Sequence, residues 1–149
     1  MNQHPYLRAY MAGIAVPTIF LLVVATVFTL ARYVYNIPVP VERVIVFPMA
    51  FVPNVWGLWN ILFVASRARL HHSLGLHGAV LPFLLGPLGY LVARMLDFPI
   101  HNIVVQAFPI AAQVAQLVHY LIAAMVGMII YYLAWKYLVG FLNGVLGLS

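Results

Sequence analysis

Gln113, Gln116, His119 and Tyr120 have a spacing that could do chemistry, because on a helix Gln113, Gln116 and Tyr120 fall on one stripe with His119 beside Gln116. An imidazole in that setting could hydrogen-bond to a neighbouring helix, hold a quinone headgroup or ligate haem. Haem needs a second axial ligand at matching depth, and the nearest candidate, His77, falls several turns away in height. A second constellation is Asn54, Trp56 and Asn60, which shares its segment with Pro48, Pro53, Gly57 and Trp59. Each proline leaves a carbonyl four residues earlier, Val44 or Met49, without its helical donor, and in hydrocarbon such a group needs another partner. Trp56, Gly57 and Asn60 share one helical face, so they either pack against other helices or line a pocket for a ligand.

His71, His72 and His77 follow Arg67 and Arg69 closely enough to hold a metal or a lipid phosphate. No Cys, Asp or Glu stands nearby to complete a metal shell, so interfacial histidines among anionic headgroups are the expected reading. Hydrolytic chemistry is poorly supplied: the chain has three serines and two acids, Glu42 and Asp97, and Ser66 and Ser73 fall at the opposite side of the bundle from Asp97. Coupled transport usually uses a carboxylate at depth, and none is available; no nucleotide-binding motif occurs. The absence of cysteine removes disulfides and thiolate chemistry. No catalytic residue, metal or cofactor is therefore assigned, and Asn54, Trp56, Asn60, Gln113, Gln116, His119 and Tyr120 remain as candidate ligand-binding residues.

The elements that must position these side chains follow from composition. Apolar and aromatic residues make up 66% of the chain and charged residues 6%, whereas a soluble domain carries roughly 25% charged residues. Lipid is the expected solvent. The run from Ala9 to Ala31 and the run from Val44 to Ser66 each hold 23 uncharged residues, enough to span a bilayer. Arg32, Tyr33 and Tyr35 close the first, and Asn36-Ile-Pro-Val-Pro makes a tight connection. The reading is a single transmembrane domain over 1–149, with helices at about 9–33, 42–67, 75–95 and 109–138 and an interfacial or re-entrant piece at 98–108. The third helix carries Pro82, Pro87 and three glycines and is expected to be broken or strongly kinked, with Gly86 and Gly89 permitting close helix approach. The fourth continues the glutamine stripe through Ala123, Gly127, Tyr131 and Ala134, which predicts Gly127 as a tight contact; the tail from Leu138 is expected to be an extension of the fourth helix that frays along the interface.

With both ends inside, Arg8, Arg67, Arg69 and Lys136 fall in the cytoplasm and Arg32, Arg43 and Arg94 outside, the better of the two orientations. The fold class is an all-α, polytopic membrane bundle of about four helices, with helices two and three kinked by their Pro and Gly residues, placed in a bacterial inner membrane. Three functions remain open. The first is a non-enzymatic bundle acting through helix contacts, as a homo-oligomer, a subunit of a membrane complex or a binder of amphipathic ligands. The others are a transporter or channel made by oligomerisation, and a lipid- or quinone-interacting enzyme or redox protein. Membrane lipids are expected partners, with anionic headgroups near Arg67, Arg69, His71 and His72. The scattered cations make no surface for nucleic acid.

Overall fold

The computed structural model describes residues 4–38, 41–67, 73–95, 122 and 124–148, and in these the chain is all-α. Helix α1 runs Pro5–Tyr33, α2 Val41–Ser66, α3 Leu74–Met95 and α4 Ala124–Val145. Three segments are long and apolar enough to cross a membrane, Pro5–Tyr33, Met49–Ser66 and Ala124–Val145, and Leu74–Leu88 is a shorter apolar stretch. The segment at 98–108 and residues Gln113, Gln116, His119, Tyr120 and Ala123 lie outside the described residues, as do Arg69, His71 and His72.

Helix α1 starts earlier than expected because Pro5, at the first helical turn, needs no donor there and presets its backbone angle. It ends where Asn36 turns left-handed (φ 55°), which asparagine tolerates, and the Ile37 N–H returns to the Ala31 carbonyl at 3.0 Å. Arg32 lies over the Tyr33 ring at 5.6 Å, so the predicted end anchor is also a local cation–π pair. Helix α3 corrects one half of the sequence reading: it is not broken and continues through Pro82 and Pro87. Each proline removes one ladder bond without stopping the helix. Helix α4 contains a π turn at Ala134–Val139 before the α-helical stretch Gly140–Val145. One residue is accommodated in the wider turn, and Trp135, Val139 and Asn143 then all face inward.

Helices α1 and α2 pack closely as an antiparallel hairpin, crossing backbone to backbone at Gly13 and Gly57. A Cβ on Gly13 would sit 2.6 Å from the Trp56 carbonyl oxygen and 2.8 Å from the Gly57 Cα. Only glycine permits that approach. Helices α3 and α4 meet through Gly78, whose missing side chain makes room for the root of the fully buried Trp135 indole. Trp56, Leu81, Trp135 and Val139 form the apolar core. Gly127 and Gly86 correct two expectations of close packing. Among the described residues, the nearest atom to a Cβ on Gly127 is Pro82 Cβ at 4.0 Å, and around Gly86 nothing lies within 4 Å. Of the α3 and α4 glycines described, Gly78 is the most crowded, while Gly127, two turns along α4 from Trp135, is at ordinary contact distance from Pro82.

Candidate functional site

The buried polar groups gather at the end of the bundle where α1 and α3 begin and α2 and α4 finish. Asn60 is fully buried, as the face shared with Trp56 and Gly57 predicts. Its Nδ2 donates to the Ala9 carbonyl and to Asn143 Oδ1, both at 2.8 Å, and Asn143 Nδ2 donates back to Asn60 Oδ1 at 3.2 Å. One side chain thus ties three helices together. Asn54 lies apart from that face: it is exposed, accepting from the Tyr10 hydroxyl of α1 and donating to the Ala50 carbonyl at 2.6 Å. Four residues before Leu58 on the outer side of α2, it serves the α1–α2 seam and does not join Asn60.

His77 corrects the reading of a solvated interfacial histidine. It stacks on the Trp59 indole at 4.7 Å, with Phe63 at 5.3 Å and Trp135 at 5.8 Å completing an aromatic enclosure. Its Nε2 donates to the Trp59 carbonyl at 2.9 Å, and the Trp59 indole N–H donates to the His77 carbonyl at 2.9 Å. That reciprocal pair bolts α2 to α3 and requires the proton on Nε2. The reason sequence reading misplaced it is positional: α3 begins at Leu74, so His77 already lies in a helical turn facing α2.

The tail corrects another expectation. The chain past Val145 closes in a Schellman turn, with Gly147 left-handed (φ 69°), Gly147 N–H bonded to the Gly144 carbonyl at 3.0 Å and Leu148 N–H to the Asn143 carbonyl at 2.8 Å. Arg8 donates to the Leu146 carbonyl at 3.4 Å and Arg67 to the Leu148 carbonyl. Two cations from different helices thus meet the negative end of α4, where the dipole favours them. Leu148 is buried, so this segment is packed and not frayed. Replacing both Arg8 and Arg67 with Gln should raise amide hydrogen exchange at 144–148 while leaving α1 and α2 unchanged. With a part-exposed site, each contact is worth only ~0.3–1 kcal/mol. Unaltered exchange in this turn would show that the carbonyls do not need the arginines.

Of the candidate ligand residues, Trp56 and Asn60 come together in the core, Asn54 stands outside it, and the other four lie outside the described residues. Sequence reading missed Trp59, His77, Trp135 and Asn143 as a group. Their signal was present as aromatic and amide residues inside apolar runs, but the π turn that aligns Trp135 with Asn143 has no residue signature. Trp56 contacts Tyr131 at 5.1 Å and Trp135 at 5.4 Å, and among the described residues the buried Trp135 indole N–H has no acceptor. Among the described residues no three His, Cys, Asp or Glu side chains come together. The arrangement supplies neutral hydrogen bonds and aromatic contact, not a nucleophile with its base. No family model, curated protein or solved structure matches the chain.

Proposed function

We propose that the chain is a single-domain integral membrane protein of four spanning helices, acting through helix contacts as a homo-oligomer or as a subunit of a larger membrane complex. It performs no bond-making chemistry. The observation that carries this reading is the use of the buried polar side chains: Asn60, Asn143, Trp59 and His77 each bond to another helix. Polar side chains used this way give a bundle its register in lipid, where apolar burial offers no drive between helices. Support for a partner comes from α3, where Phe83, Leu84 and Leu88 are exposed and, among the described residues, no atom lies within 4 Å of a Cβ placed on Gly86. A helix of another subunit can approach closely only at such a small residue. Arg67 is exposed at the end that holds the chain termini, which suits anionic headgroups on the cytoplasmic side of a bacterial inner membrane.

The test is the native assembly: extracted with its surrounding lipid and weighed by native mass spectrometry, the chain should appear as an oligomer or with a co-purifying membrane subunit. A lone monomer would remove the basis for contact as its function. Topology offers a second measurement. Reporters fused before His4 and after Ser149 should both read cytoplasmic, as four crossings require. Opposite readings would establish an odd number of spans and overturn the four-helix arrangement.

A further inference from the structure

We propose that α4 docks a membrane helix of a different polypeptide, one that carries an Asp or Glu at the depth of Lys136, and that the two side chains form an ion pair within the bilayer. This rests on the membrane-complex reading above and specifies the chemistry of the partner.

Lys136 lies well inside the span. It follows Trp135, whose ring is 5.4 Å from that of Trp56, and the Trp56 backbone meets Gly13. Gly13 stands five residues past Arg8 on α1, Trp56 eleven before Arg67 on α2, and Lys136 ten before Leu146, whose carbonyl receives Arg8. At ~1.5 Å per residue these separations put the Lys136 backbone ~8–16 Å below the layer of Arg8 and Arg67.

A lysine can snorkel to a nearby surface. Helix α4 runs toward the terminal end, however, and helical Cα–Cβ bonds tilt toward the helix N-terminus, so this stem leaves α4 pointing away from the arginines. The ammonium is held beside the rings of Tyr132 and Tyr137, at 5.6 and 5.3 Å from their centroids. Such contacts offset part of the cost of a charge in hydrocarbon and bring no negative charge. The flank is otherwise apolar: Lys136 is exposed, and so are Ile129, Leu133, Tyr137 and Phe141, which recur at four-residue spacing on the same helix.

A charged side chain at depth pairs with an opposite charge. The two acids of the chain stand at other levels. Glu42 opens α2, fourteen residues before Trp56, ~21 Å along the helix. Asp97 follows α3, which ends at Met95, seventeen residues or ~26 Å beyond the Gly78 that meets Trp135. A second copy in the same orientation therefore brings no carboxylate to Lys136. Anionic headgroups lie at the membrane surface with the arginines. The counter-charge comes from a foreign helix seated on this flank.

The probe is a synthetic apolar helix of about 20 residues with one glutamate about eight residues, ~12 Å, from the end that meets the arginine layer. The chain has no cysteine, so a single dye can be attached to the full-length protein at exposed Val145→Cys. Association is measured by fluorescence transfer in phosphatidylcholine vesicles, against the same peptide with glutamine and with the glutamate moved about two turns along. The glutamate peptide should bind about tenfold more tightly than either control. Lys136→Gln should abolish that preference, and Lys136→Glu should transfer it to a peptide with lysine at the same position. A glutamate peptide that binds no better than one of its controls, or a preference that survives Lys136→Gln, overturns the inference. So do two other occupants: self-association of the chain that is lost in Lys136→Gln, and Lys136-dependent retention of phosphatidylglycerol in native mass spectrometry without a peptide preference. A chain that stays out of the bilayer would defeat the membrane reading itself, a result distinguishable from equal peptide binding by an incorporated chain.

Discussion

Gly78→Ala is expected to disrupt the bundle more than any other single methyl addition outside the Gly13–Gly57 crossing. The added carbon would fall on the Cγ, Cβ and Cδ1 of Trp135, atoms at the root of a side chain that is fully buried and held by Trp56, His77 and Leu81. A flexible tip could move aside, but the root of an indole moves only if α4 moves. Overpacking of this kind costs ~1–3 kcal/mol, and the upper end applies where the backbone must give. Gly13→Ala should behave alike, since its new carbon meets the Trp56 carbonyl oxygen and the Gly57 Cα, both main-chain atoms. Gly86→Ala and Gly127→Ala are the controls, with open space and a nearest atom at 4.0 Å respectively. They should be neutral or slightly stabilising in a monomer, because alanine is the better helix former by ~1 kcal/mol. Thermal unfolding of the four variants in the same lipid or detergent measures this. Equal tolerance of Gly78→Ala and Gly127→Ala would mean that α3 and α4 do not meet at Trp135.

The second large effect is expected at Asn60. Asn60→Leu removes two donated bonds and one accepted bond and leaves the side chain of Asn143, also buried, without its partner, while the Ala9 carbonyl keeps its donor within α1. An interhelical hydrogen bond in a membrane is worth only ~0.6 kcal/mol on average, but an unpaired buried polar group adds ~1–3 kcal/mol of its own. A loss of about 2 kcal/mol is therefore expected, dominated by the orphaned amide of Asn143. The sign of the double variant is the sharper test. Asn60→Leu with Asn143→Leu should be more stable than Asn60→Leu alone, because it removes the stranded group along with its partner. Additive losses in the double-variant cycle would show that the two amides do not face each other.

The all-α class and the places of the first two helices are legible in the sequence. Long uncharged stretches, bounded by Arg32 and Tyr33 or by Arg67, locate α1 and α2, and helical periodicity alone puts Trp56, Gly57 and Asn60 on one buried face. Such facts are local, since they depend on residues within a few turns of each other. Which helix opposes that face, and at what height, is not local. Only the tertiary structure decided that Gly78 and not Gly127 meets a neighbour closely, that His77 turns into an aromatic enclosure, and that Asn143 belongs to the core and not to a frayed tail. The physical reason is that a helix presents several small or polar stripes of similar quality. The choice among them is made by the bulk of Trp135 and by the π turn that rotates it inward, neither of which has a pattern in sequence.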